Sequence, residues 1–128
     1  MIPTIGSMQW RRELPKVVVN ACYGGFGLSH EAIMRYSELA GLNLVHVKDG
    51  YLISTSYYID GVRDDDHYWY YGDLERTDPH LIQVVEELGE LADGEFAKLR
   101  IAEVPEGVDW YIDDYDGIET VRETHSSW

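Results

Sequence analysis

Apolar and polar residues change rhythm several times along this chain, and each change marks an element. Lys16–Asn20 (KVVVN) sets three β-branched residues in a row, the pattern of a short strand buried on both faces. His30–Ala40 switches to helical spacing: Ile33, Tyr36 and Ala40 recur at three and four residues, and Leu39 widens the stripe. Ser29 fits an N-cap, Glu31 suits the positive first turn, and Gly41 suits the left-handed residue that closes a helix. Leu42–Val47 and Tyr51–Tyr58 are rich in strand formers around Lys48-Asp49-Gly50 and predict a hairpin. Ile59–Asp66, with one glycine and four aspartates, reads as loop, and His67–Tyr71 as a short aromatic strand.

Asp78-Pro79 opens a second helix, because proline is accepted at the first helical position and the residue before it avoids the α region. Leu81, Val84, Val85, Leu88 and Leu91 form its apolar stripe, opposite Gln83, Glu86, Glu87 and Glu90. Gly89 weakens the last turn, and Asp93-Gly94 ends it. Phe96–Val104 reads as a strand with Leu99 and Ile101 on one face and Lys98 and Arg100 on the other. Val108–Tyr115 and Ile118–Thr124 flank Asp116-Gly117, a two-residue hairpin signal that sets the register. Tyr115 then faces Ile118, Ile112 faces Val121, Tyr111 faces Arg122 and Asp113 faces Thr120. Val108, Trp110 and Ile112 share the core face; Asp109, Tyr111, Asp113 and Tyr115 share the outer one. The order β-α-β-β-β-α-β-β-β, joined mostly by hairpins, predicts one α+β domain over residues 16–128, a mainly antiparallel sheet with two helices packed on it. Residues 1–15 read as an N-terminal extension, either a loose end or an edge strand over Ile5–Trp10.

Composition narrows the class. With 128 residues, 45% hydrophobic and 27% charged, the chain is an ordinary globular domain rather than a disordered or fibrous one. No apolar run nears the roughly 20 residues that span a bilayer. The first residues lack a signal-peptide core, so secretion is not expected. One cysteine, Cys22, excludes an intramolecular disulfide and a multi-cysteine zinc site. Asp and Glu number 24 against 10 Lys and Arg, a net charge of -14. That charge disfavours direct contact with nucleic acid or an anionic membrane and favours either mere solubility or a basic protein partner.

The candidate chemistry is sparse. Residues 103–124 hold eight carboxylates and one arginine. An acidic, tyrosine-bearing surface of Asp109, Tyr111, Asp113, Asp114, Tyr115, Asp116 and Glu119 is therefore a candidate protein-binding site, and an ordinary solvated strand face is the plain reading. The second candidate is Tyr23-Gly24-Gly25-Phe26-Gly27 with Ser29, a glycine-rich turn between a strand and a helix start. It could hold a nucleotide-type ligand, with a base stacked on Tyr23 or Phe26 and Arg76 or Arg122 on the phosphate. It matches neither GxGxxG nor GxxxxGK[ST], so a structural turn against close-packed backbone competes with that reading. Asp64, Asp65, Asp66 and His67 are adjacent and cannot all point at one ion, so no metal is expected. His30, His46, His67, His80 and His125 show no catalytic or ligand spacing, and an imidazolium at the helix starts of His30 and His80 is disfavoured. No catalytic residue and no cofactor are assigned.

KVVVNACYGGFGLSHEAI, RTDPHLIQVVEELGELADGEFAKLRIAEVP and VDWYIDDYDGIETVRETHSSW together resemble a family of small bacteriophage and prophage proteins, over about residues 16–128. The YGGFG loop and the WYIDDYDG hairpin carry the resemblance. It implies a protein acting in the bacterial host cytoplasm, during infection. The leading expectation is an inhibitor that occupies a basic surface of a host defence protein. The alternatives are a nucleotide-signal binder or small nucleotide-cleaving enzyme using the glycine loop, and a homo-oligomeric phage accessory protein, for which four Trp and ten Tyr are suggestive.

Overall fold

The computed structural model describes residues 15–48, 55–105 and 107–124. The edge strand proposed over Ile5–Trp10 and the Lys48–Gly50 turn beyond its first residue lie outside them. The elements are β1 (Lys16–Asn20), α1 (His30–Ala40), β2 (Leu44–Lys48), β3 (Thr55–Ile59), β4 (Tyr68–Trp69), α2 (Pro79–Leu88), β5 (Leu99–Glu103), β6 (Trp110–Tyr115) and β7 (Ile118–Glu123). The class is α+β. Among the described residues all the pairings are antiparallel, but they form three small sheets rather than one: β1-β5, β2-β3-β4 and β6-β7.

β1 explains the three-layer arrangement. Val17, Val18 and Val19 are all fully buried. Val18 points into the main core with Ile33, Tyr36, Leu44, Tyr57, Leu81, Val84 and Val85. Val17 and Val19 point the other way, against Val104 and the inner face of the last hairpin through Trp110, Ile112 and Val121. The run has no polar alternation because a helical layer covers one face and a hairpin the other. Each buried valine contributes about 1.5–3 kcal/mol.

Both ends of α1 and the start of α2 follow the sequence, and the end of α2 does not. Ser29 Oγ accepts from Ala32 N at 3.1 Å, and Gly41 closes α1 at φ 72°. Asp78 Oδ1 accepts from His80 N at 2.8 Å, with Pro79 at the first position of α2. Gly89 at φ 56° stops α2 outright, and the chain continues as a 3₁₀ turn over Gly89–Ala92. Leu91 is therefore not on the core stripe but exposed. The HYWYY strand is also shorter than its aromatic content suggests. Only Tyr68–Trp69 pairs, with Tyr57 and Tyr58, and Tyr71–Asp73 is a 3₁₀ turn. No helix among the described residues is long and apolar enough to cross a membrane.

Candidate functional site

A buried polar knot fixes the end of the molecule where both sequence candidates meet. Asn20 ends β1 with no exposure. Its Nδ2 donates to the carbonyls of Cys22 at 2.6 Å and Gly117 at 2.7 Å, and its Oδ1 accepts from Lys98 N at 2.8 Å. Its backbone N–H donates to Glu119 Oε1 at 2.9 Å. Glu119 in turn receives Arg76 in a two-pronged pair, Nη1 to Oε1 at 2.5 Å and Nη2 to Oε2 at 2.9 Å. Arg76 lies 3.7 Å over the Phe26 ring and donates to Val18 O. One amide side chain thus ties the glycine loop, the start of β5 and the turn of the last hairpin together. A buried amide and an ion pair are tolerated because, among the described residues, no fully buried side-chain polar atom lacks a partner.

The glycines permit this closeness. A Cβ on Gly24 would lie 2.0 Å from Phe96 O, and one on Gly117 would lie 2.3 Å from Tyr23 O. The loop, the turn preceding β5 and the hairpin tip therefore meet backbone to backbone, the structural role weighed for the glycine run. Asp116 and Gly117 both take positive φ, 50° and 91°, in the two-residue turn, and Asp114 Oδ1 accepts from Gly117 N at 2.9 Å. The observed register is the expected one, Tyr115↔Ile118, Asp113↔Thr120, Ile112↔Val121 and Tyr111↔Arg122.

Three side chains stand out where these backbones meet. Tyr23 is 69% exposed, Phe96 68% and Tyr115 72%. With Leu91 they are the most exposed large apolar residues among those described. Asp114, Asp116 and Glu95 lie beside them in the sequence and are exposed, and Tyr111 stands further down the outer hairpin face, half exposed.

Two sequence assignments change here. Glu119 does not belong to the outer acidic surface. It is 6% exposed and faces inward, because Asp114↔Glu119 falls on the Trp110–Ile112 side of the hairpin, where Arg76 neutralises it. Asp113 is on the outer face, but Arg122 pairs with it at 2.6 Å, and that carboxylate holds the guanidinium above its ordinary pKa. Asp109, Asp114, Asp116 and Glu123 are exposed and form no ion pair among the described residues. Exposed carboxylates also stand on α1, α2 and the Asp64–Asp66 loop, so negative charge is spread over the surface. Exposed aromatic area, rather than charge alone, distinguishes the tip.

The nucleotide reading loses its cations. A cleft of about 200 Å³ is lined by Gly24–Leu28, Tyr71 and Gly94–Ala97. Arg76 reaches Phe26 but is held by Glu119, Arg122 is held by Asp113, and Ser29 Oγ caps α1 and donates to Leu91 O at 2.5 Å. Asp64 accepts from both N and Nδ1 of His67, which closes the acidic loop on itself and lowers the carboxyl pKa. The fold also joins residues the sequence left scattered. His30 and His46 meet edge to face at 4.8 Å, and His30 Nδ1 lies 2.8 Å from Tyr57 Oη. Burial, and secondarily the Glu31 charge, raise the Tyr57 pKa. The missed signal was local: His46 and Lys48 alternate onto one face of a strand. Compared with known proteins, the chain matches no family model, no curated protein and no solved structure.

Proposed function

We propose that this is a non-enzymatic binding protein whose hairpin tip docks on a basic surface of a partner protein, and that in a bacterial host it blocks that partner. The supporting observation is that exposed Tyr23, Phe96 and Tyr115 stand on three segments whose backbones meet at Gly24 and Gly117, with exposed Asp114, Asp116 and Glu95 beside them in the sequence. Aromatic rings supply contact area at little conformational cost and attract guanidinium and ammonium groups to their faces. The surrounding carboxylates give the electrostatic complement, which speeds encounter and makes binding sensitive to salt. The anchoring network holds the tip in shape before binding, so little ordering entropy remains to be lost.

The test is capture from a bacterial lysate by immobilised protein in low and high salt, beside the double variant Phe96→Ala/Tyr115→Ala and the charge variant Glu95→Gln/Asp116→Asn. Both change exposed side chains, and Asn is tolerated at the positive φ of position 116. The reading predicts bands retained by the wild type at low salt, released by high salt and absent with either variant. Bands retained equally by all three proteins would remove the tip from the account.

A further inference from the structure

We infer that the protein carries a second, independent binding site, a small oxyanion pocket formed by His30, His46, Lys48 and Thr55 that takes the phosphate group of a small soluble phosphorylated molecule. The site does not depend on the hairpin tip and survives if that reading fails. A cavity of about 290 Å³ is lined, among the described residues, by these four side chains. Its position follows from strand alternation. Leu44, His46 and Lys48 share one face of β2, opposite Ile59, Tyr57 and Thr55 of β3. The Leu44 and Tyr57 end of that face is buried under α1, and the Lys48 and Thr55 end runs out past His30, the first residue of α1. Among the described residues, the far end of that hairpin face opens into a polar hollow.

The described lining is rich in hydrogen-bond donors and carries one cation, with the Glu31 carboxylate near Tyr57 behind it. An ammonium, two imidazoles and a hydroxyl line the hollow, with no carboxylate among the described lining residues, in a chain of net charge -14. Among the described residues Lys48 forms no ion pair. Tyr57 stacks on His30 with ring centroids 5.8 Å apart and its hydroxyl 2.8 Å from Nδ1. Burial, and then the nearby Glu31 charge, raise the pKa of that phenol. Ring donors from His30 and His46, the Thr55 hydroxyl and the Lys48 charge suit an acceptor-only group with several oxygens. The volume accommodates a phosphate with a small organic substituent but not a dinucleotide.

The experiment titrates the full chain with inorganic phosphate, and separately ribose 5-phosphate, while following the histidine ring proton resonances. The expected result is saturable movement of the His30 and His46 signals at millimolar ligand, with His67 and His80 unmoved. Lys48→Met should weaken the response at least tenfold, and His46→Gln should do so without changing the thermal midpoint. Matched chloride is the ionic-strength control. Equal movement of His30, His46, His67 and His80, or an unchanged response in Lys48→Met, would overturn the site. Co-sedimentation with vesicles containing phosphatidic acid, weakened by Lys48→Met, would assign the pocket to a lipid headgroup and overturn the soluble ligand.

Discussion

Replacing Glu119 by alanine removes the centre of the knot that holds the hairpin tip. Glu119 is 6% exposed and accepts from both guanidinium nitrogens of Arg76 and from Asn20 N. Alanine leaves the guanidinium, whose side chain is 20% exposed, without its counter-charge, and leaves a buried N–H without an acceptor. Breaking such a pair from one side costs about 3–5 kcal/mol, chiefly because the remaining charge stays desolvated. Stacking on Phe26 and the bond to Val18 O retain part of the guanidinium's environment, which places the loss nearer the lower figure. Glu119→Gln keeps the shape and one acceptor and should lose roughly half as much. Urea unfolding followed by tryptophan fluorescence reads this directly. With a slope of about 2 kcal/mol per molar urea, a loss of about 3 kcal/mol lowers the midpoint by roughly 1.5 M. An alanine variant within about 0.5 kcal/mol of wild type would refute the argument that the pair is desolvated and structural.

Three further outcomes follow from single contacts. Tyr36 is buried and donates to Asp78 Oδ2 at 2.6 Å, so Tyr36→Phe should cost about 1.5–3 kcal/mol in the same urea assay, typical of a hydrogen bond to a charged group. Burial, then Asp78, raise the Tyr36 pKa above its ordinary 10.0, so the folded protein keeps a proton that the unfolded chain releases. Stability is therefore full below pH 10.0 and falls as pH rises beyond it, more steeply in wild type than in Tyr36→Phe, as thermal melts across that range would record. Gly24→Ala drives a methyl into Phe96 O and should lose about 1–3 kcal/mol by overpacking and abolish partner capture. Gly25→Ala meets no atom within 4 Å, bears only the strain of φ 89°, and should retain capture. Arg122→Ala breaks an exposed pair and should leave the thermal midpoint unchanged.

What could be read from the sequence was what local chemistry dictates. Ser29, Gly41 and Asp78 act through their own backbone conformations or nearby amides, and Asp116-Gly117 carries the register of six residue pairs. The outer placement of Tyr111 and Tyr115 follows from that register alone. Glu119 was misplaced because strand alternation marks its face but not what lies across it. Its partner Arg76 is 43 residues away, and Asn20 is 99. The approach of the Tyr23–Gly25, Phe96 and Gly117 backbones was hidden for the same reason. It depends on glycine-mediated backbone contact between three segments distant in sequence, and a glycine run reads alike whether it cradles a ligand or another strand. The His30–His46 contact likewise joins a helix start to a strand with no shared motif.

The claim that the tip, and not the diffuse negative surface, is the binding face is tested most directly by amide chemical-shift mapping. An arginine-rich peptide would be titrated into isotope-labelled protein at low salt. The account predicts saturable shifts concentrated at Tyr23–Gly25, Glu95–Ala97 and Asp114–Gly117, lost in Phe96→Ala/Tyr115→Ala. Shifts of similar size along α2 and the Asp64–Asp66 loop, unaffected by that variant, would contradict it.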